Sequence, residues 1–225
     1  MAADREDAQP EDLEFGVAGA SARREEARRR ANRERRTRQR HPIIGGALLA
    51  VRDAPPHERV WGTGGSGEEA TAAYLAKRCP GALVLHDRRI PGRRANIDHV
   101  VVCPSGVYVI DSKRYKNRKV RVATPLIGAA RLTIDGRDRS KLVEGLARQV
   151  EVVAEFVARV EPAVPVHGAF CFIDADLPLI GTPRISSFEV LTRRRLAKRI
   201  NRDGPLPDDR IRAVAVELAH QLPSA

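Results

Sequence analysis

The chain has 225 residues, and its hydrophobic content of 42% is sufficient for one domain of about 150 residues with additional segments. Its formal net charge is +11: six acids and one arginine give −5 over residues 1–20, ten arginines and three glutamates give +7 over residues 21–40, and the rest carries +9. The longest apolar run, residues 43–51, is too short to cross a bilayer, which needs about 20 residues. The sequence therefore predicts no transmembrane segment, and its positive charge favours polyanionic partners, nucleic acid first and acidic membrane surfaces second.

An N-terminal arm is predicted over residues 1–41, acidic at first and then arginine-rich. Residues 21–40 contain good helix formers and pairs such as Glu25 with Arg29, but they lack an apolar stripe. We therefore expect a basic helical arm, partly disordered, that contributes little to the fold and contacts phosphate groups. A linker is predicted over residues 42–61.

A glycine-rich run, residues 62–67, leads into a predicted helix over residues 67–78. The run has no GK[ST] ending and no strand before it, so it is not a nucleotide-binding P-loop. Glu68 and Glu69 lie in the first turn of the helix. The helix dipole favours acids there, so capping alone is one explanation for both residues, and a role in a site is the other.

Strands and helices alternate in the rest of the chain. The segment 107–113 is apolar at both parities, which is typical of a central strand covered on both faces. Strands are predicted over residues 82–86, 97–103, 107–113 and 119–123, with weaker ones over 130–134, 168–173 and 187–191. Helices are predicted over residues 139–160 and 207–222.

A β-hairpin joins two of these strands and carries two acids and a lysine. A two-residue loop, Pro104-Ser105, would place Asp98 opposite Asp111, on the same face as Lys113. A three-residue loop would put the two acids on opposite faces. Two close carboxylates suit a hard divalent cation, whereas the alternative is that both acids only cap turns. His99 should face the other side of the strand, as a hydrogen-bonded structural histidine.

These segments resemble the nuclease-related domain (NERD) family, a branch of the PD-(D/E)xK nuclease superfamily. The similar motifs are the glycine-rich helix entry with Glu68, the run from His86 to Gly92 with Asn96–His99, and Val107–Lys113. The resemblance covers roughly residues 62–175 and leaves residues 176–225 as an extension packed on the domain. It implies a restriction-endonuclease-like α/β fold, with a central mixed sheet flanked by helices, and a role in DNA processing.

The resemblance also implies a site for phosphodiester hydrolysis. Asp98 and Asp111, with the carbonyl of Ser112, would bind Mg²⁺ or Mn²⁺, and Lys113 would stabilise the developing anion. Glu68, or Glu69 in its place, would act through a second ion or a water molecule, and Gln149 would orient water or phosphate. Taken alone, Lys113 is better explained as a solubilising lysine at the end of a strand, and Gln149 as a polar residue on the solvent face of its helix.

Basic residues flank the proposed site on both sides, as expected where a DNA backbone enters. The predicted nucleic-acid-binding residues are Arg88, Arg89, Arg93, Arg94, Arg114, Tyr115, Lys116, Arg118 and Lys119. We therefore expect a DNA-binding, magnesium-dependent nuclease. We expect it in the cytoplasm, since the three cysteines form no CxxC pair and suit a reducing compartment. The alternatives are a catalytically silent nucleic-acid-binding module and a membrane-surface adaptor.

Overall fold

The computed structural model describes residues 13–40, 56–93, 95–125 and 127–225. Within these residues the helices are α1 (Ala20–Arg40), α2 (Pro56–Arg78), α3 (Ser140–Val160), α4 (Arg193–Ile200) and α5 (Asp208–Gln221). The strands are β1 (Leu83–Arg89), β2 (Asn96–Cys103), β3 (Gly106–Arg114), β4 (Val120–Ala123), β5 (Arg131–Ile134), β6 (Arg137–Asp138), β7 (Val166–Ile173), β8 (Arg184–Ile185) and β9 (Phe188–Leu191). None of the described helices is long and apolar enough to cross a membrane.

A six-stranded mixed sheet forms the centre of the molecule, in the order β1-β2-β3-β7-β9-β8. Strands β1, β2 and β3 are antiparallel, whereas β7 runs parallel to both β3 and β9. This confirms the predicted α/β fold with a central mixed sheet flanked by helices. Strands β4, β5 and β6 form a separate small sheet.

Strand β3 lies between two apolar layers, as its pattern predicts. Val107 and Val109 belong to the larger cluster, which includes side chains of α3 and α5. Tyr108 and Ile110 belong to the second cluster, which includes side chains of α2 and α4. Because both faces are covered, the end of β3 can present polar groups only where the helices leave an opening.

The β2–β3 hairpin has the two-residue loop, Pro104-Ser105. Cys103 pairs with Gly106 and His99 with Ile110, so the three-residue alternative is wrong. Gly106 has φ +127°, and a Cβ atom there would lie 2.5 Å from the backbone oxygen of Pro165. A glycine is therefore required where the hairpin enters β3.

Helix α2 begins at Pro56, earlier than the predicted start at residue 67. The glycine-rich run thus lies inside the helix, although each glycine in a helix interior costs about 1 kcal/mol relative to alanine. Packing explains one of these glycines: a Cβ atom on Gly67 would lie 3.1 Å from the Cβ of Arg114. Of the predicted linker over residues 42–61, the part before Pro56 lies outside the described residues.

The N-terminal segment packs against β1, which differs from the expectation that the arm contributes little to the fold. The backbone N–H of His86 donates to the Phe15 oxygen at 2.7 Å. The backbone N–H of Ser21 donates to Asp87 Oδ2 at 2.5 Å. The sequence pattern shows no apolar stripe because these contacts are made by the backbone and by small polar side chains.

Candidate functional site

Asp98 and Asp111 lie opposite each other near the end of the β2–β3 hairpin. The pairing of His99 with Ile110 places them in register. The backbone N–H of Ser112 donates to Asp98 Oδ2 at 2.8 Å and fixes that carboxylate against β3. The structure therefore brings together the two acids that the two-residue loop predicts.

The Lys113 ammonium lies among the oxygens of the predicted metal-binding groups. It forms an ion pair with Asp111 Oδ1, lies 3.7 Å from Asp98 Oδ2, and donates to the Ser112 carbonyl at 3.4 Å. The side chains of both acids are largely buried, and that of Lys113 is partly buried. Three oxygens thus converge on one position, and that position holds a positive charge.

Glu68 joins these residues from helix α2. It lines a cleft of about 760 Å³ together with Asp98 and Lys113. Thr71, one turn later on the same helix, accepts a hydrogen bond from the Ser112 hydroxyl at 3.1 Å. Glu69 instead is exposed and forms an ion pair with Arg23. Of the two neighbouring glutamates, Glu68 is the one that faces the cleft.

Burial and mutual repulsion perturb the acids of the cleft. Burial raises the pKa of Glu68 to about 8, and the Asp98 carboxylate adds to the rise. Burial raises the pKa of Asp98 to about 6, against the opposing effect of Lys113. For Lys113, burial lowers the pKa, but Asp111 and Asp98 outweigh it and the net pKa lies above its usual range. The two carboxylates thus favour the protonated, cationic form of Lys113.

The oxygen atoms of this site suit a hard divalent cation, although the protein supplies only a few of the ligands. Among the described residues, no three His, Cys, Asp or Glu side chains are grouped to hold a metal ion. Magnesium commonly takes one or two carboxylates and completes its shell with water and substrate phosphate. Asp98, Asp111 and the Ser112 carbonyl meet that requirement, since they already surround a cation.

Gln149, on helix α3, contacts the start of strand β2. Its Nε2 donates to the backbone oxygen of Asn96 at 2.9 Å, two residues before Asp98. Its Oε1 is buried and has no hydrogen-bond partner among the described residues. Gln149 is therefore held at the start of β2 with an acceptor atom still unused, and its role in orienting water or phosphate stays a prediction.

Asp87 is a site residue that the sequence interpretation did not single out. The strand registers place Asp87 opposite Asp98, and Asp98 opposite Asp111. The Asp87 side chain is buried, lines the cleft, and accepts hydrogen bonds from Ser21 and from Asn96 Nδ2. The three aspartates are seen to lie side by side only when the β1–β2 register is known. That register cannot be predicted from the sequence, because the connection between β1 and β2 is longer than a tight turn.

His99 lies on the opposite face from Asp98, as its position after that residue predicts. It is fully buried, and its Nδ1 lies 2.9 Å from His86 Nδ1. Burial lowers the pKa of His99 to about 3, and His86 adds to the fall. A neutral histidine in a hydrogen-bonded pair agrees with the predicted structural role.

The predicted nucleic-acid-binding residues fall into three groups: buried residues, exposed residues that form ion pairs, and exposed residues that form none. Arg88 was wrongly predicted, because it is fully buried and donates to the backbone oxygens of Leu222, Glu14 and Ala219 and to Ser224. Side chains alternate between the two faces of β1, and Arg88 lies on the covered face, where a nucleic acid cannot reach it. Tyr115 is half-buried and packs against Phe172, with 6.0 Å between ring centroids.

The other predicted cations that the structure describes are exposed. Arg114 and Arg118 form ion pairs with Asp174 and Asp135. Arg89 and Arg93 line the cleft, and within the described part of the chain their side chains form no ion pair. Arg94 lies outside the described residues. The remaining exposed cations are Lys116 and Lys119.

Comparison with known proteins agrees with this geometry. Residues 63–173 match the nuclease-related domain family. No match was found among curated proteins or among solved structures. The matched segment contains Glu68, Asp98, Asp111, Lys113 and Gln149 and confirms the resemblance. Residues 63–173 therefore form a nuclease-related domain.

Proposed function

We propose that the protein is a metal-dependent phosphodiesterase that cleaves DNA. The observation that carries this proposal is the convergence of Asp98, Asp111 and the Ser112 carbonyl on one position, which the Lys113 ammonium occupies. Buried carboxylates with perturbed pKa values in a cleft are common at catalytic sites. Family membership supports a nuclease-related role, and the proposal extends it to catalysis and to DNA.

Asp98, Asp111 and the carbonyl of Ser112 would hold Mg²⁺ or Mn²⁺. When bound, the ion lowers the pKa of water and neutralises charge on the phosphate. Lys113 would stabilise the negative charge that develops in the transition state, since its own proton is held firmly. Glu68 would donate or accept a proton through a water molecule, since burial raises its pKa to about 8.

A catalytically silent nucleic-acid-binding module is the second candidate. The observation in its favour is that the Lys113 ammonium already compensates both Asp98 and Asp111. In such a module the three groups would form a structural ion-pair network, and the arginines around the cleft would bind phosphate without chemistry. The two candidate functions differ in whether a divalent ion binds at the site and is required for cleavage.

A nuclease assay separates them. Purified protein is incubated with single-stranded, duplex and overhanging DNA in Mg²⁺, Mn²⁺ or chelator, beside an identically purified Asp111→Asn variant that controls for contaminating nucleases. Cleavage that needs the metal and is absent from the variant supports the phosphodiesterase. If the wild-type protein cleaves no DNA with any ion while still binding it, the silent module is correct.

A further inference from the structure

The cleft that holds the candidate site has one wall from outside the family domain. Ser21, Arg24, Glu25 and Arg28 line it from helix α1. Their spacing of three, one and three residues places them on a single face of the helix. The family match begins only at residue 63, so this wall is specific to the N-terminal segment of this chain.

Partly buried hydrogen bonds hold this wall in place. Asn96 Nδ2 donates to the Ser21 hydroxyl at 2.5 Å, and Ser21 in turn binds Asp87. The backbone of Gly19 hydrogen-bonds the Glu68 carboxylate. Before the helix, Gly16 has φ +72°, and a Cβ atom there would lie 2.2 Å from the His86 oxygen. The start of α1 is therefore built into the fold, and it is tied to the acids of the site.

The size of the cleft limits what can enter it. Its volume of about 760 Å³ lies within the range of about 300–1,000 Å³ that is usual for small-molecule pockets. A DNA duplex is much larger, since its major groove alone is about 12 Å wide. Asp98 and Lys113 line this space, and their side chains are only 17% and 30% exposed, so a phosphodiester must enter the cleft to approach them.

The charges of the cleft suit a single phosphate backbone. Arg89 and Arg93, from the end of β1 and the connection after it, are exposed and form no ion pair with described residues. On the wall from α1, Glu25 pairs with Arg28 and Arg29, and Arg24 lies 4.0 Å from Asp87. The cations that form no ion pair with described residues thus lie at the end of β1 and in the connection after it, where they can bind a phosphate backbone.

We infer that the cleft admits a single nucleic-acid strand and excludes a duplex, because helix α1 closes it beside Asp98 and Lys113. This deepens the proposed function and rests on it for the statement that the strand is cleaved. Entry of the strand can be tested without catalysis, through a thiol placed in the cleft, because the three native cysteines are buried.

The test uses full-length protein with Ala95→Cys, which lines the cleft, and a matched control with Ala163→Cys, an exposed site between α3 and β7. Maleimide modification is followed in chelator, with a single strand of about 16 nucleotides or the blunt duplex of the same sequence. At about ten times the dissociation constant, the single strand should slow modification of the thiol in the cleft about tenfold, and the duplex should not. Neither nucleic acid should slow modification of the control thiol.

Equal protection of the cleft thiol by single strand and duplex overturns the inference, and so does protection by neither. The same substrates are then cleaved in Mg²⁺ with wild-type protein, where the single strand should react about tenfold or more faster than the blunt duplex. Cleavage of both at one rate overturns the inference but leaves the nuclease proposal standing. Selective protection without any cleavage leaves single-strand entry standing and removes the nuclease proposal.

Discussion

The backbone N–H of Ser112 donates to the carboxylate of Asp98, so an acid on β2 is fixed by the main chain of β3. The same residue of β3 binds Thr71 of α2 through its hydroxyl. Ser112 therefore joins the strand that carries one acid to the helix that carries Glu68. The site depends on this strand–helix junction as much as on its charged groups.

Lys113→Ala should abolish cleavage while the affinity for DNA stays similar. Removing a group that stabilises charge in the transition state commonly lowers kcat by about 100- to 1,000-fold, and many binding cations remain elsewhere. Lys141→Ala, which removes an exposed lysine that does not line the cleft, is the matched control. Single-turnover cleavage and fluorescence anisotropy measure the two quantities. A Lys113→Ala protein that cleaves as fast as the control would remove Lys113 from the chemistry.

Glu68 and Glu69 should differ in how they affect stability with pH. The folded pKa of Glu68, about 8, lies above the usual 4.5, so its stabilising contribution is fully present below pH 4.5 and is lost as pH rises through about 8. Glu68→Gln removes this loss. The free energy of unfolding of the variant, relative to wild type, should therefore rise with pH across that range, by at most about 1.4 kcal/mol per pH unit.

Glu69→Gln is the control, because Glu69 is exposed and paired only with Arg23. Urea denaturation near pH 5 and near pH 8 gives the comparison. The difference between the Glu69→Gln variant and wild type should not grow with pH. A flat difference for Glu68→Gln as well would show that Glu68 titrates normally and is not part of the buried acid group.

Arg88 and Arg89 are neighbours that should have opposite effects. Arg88→Met leaves the buried carbonyls of Leu222 and Ala219 without a donor, so the free energy of unfolding should fall by about 3 kcal/mol or more. Arg89→Met should change stability by less than about 0.5 kcal/mol and weaken DNA binding instead. Thermal unfolding and anisotropy measure both. A stable Arg88→Met protein would contradict the interior role that the structure assigns.

Most of the central sheet could be predicted from sequence, and the reason lies in local signals. The hairpin from Asp98 to Lys113 has apolar strands around a short turn, so its register depends on only two loop residues. Asp87 could not be predicted, because its position opposite Asp98 depends on pairing across the longer β1–β2 connection. The docking of Ser21 was equally hidden, since polar contacts between distant segments leave no periodic pattern.

The three cysteines should be unreactive in the folded protein. Burial raises the pKa of Cys79 to about 11 and that of Cys171 to about 12, and it also raises the pKa of Cys103. Because the thiolate is the reactive form, labelling with a chromogenic disulfide should follow the unfolding transition in denaturant. Rapid labelling of one thiol in the native protein would show that the helix covering it opens locally.

The distal arginines of α1 should bind DNA, whereas the start of the helix should support the fold. We expect deletion of residues 1–40 to lower the melting temperature, since it removes the bonds of Phe15 and Ser21 to β1. A full-length variant with Arg30, Arg35 and Arg36 changed to Gln should keep the wild-type melting temperature, because these side chains are exposed.

The same triple variant should make the plot of log affinity against log salt shallower. On duplex DNA each neutralised phosphate contributes about 0.9 to the slope, so three fewer neutralised phosphates predict a change of about 2.7. The charge-matched control changes Arg159, Arg202 and Arg212, which are exposed on α3, after α4 and on α5. Equal slopes for both variants would mean that α1 contributes only net charge. A melting temperature unchanged by the deletion would mean that the hydrogen bonds of Phe15 and Ser21 do not stabilise the domain.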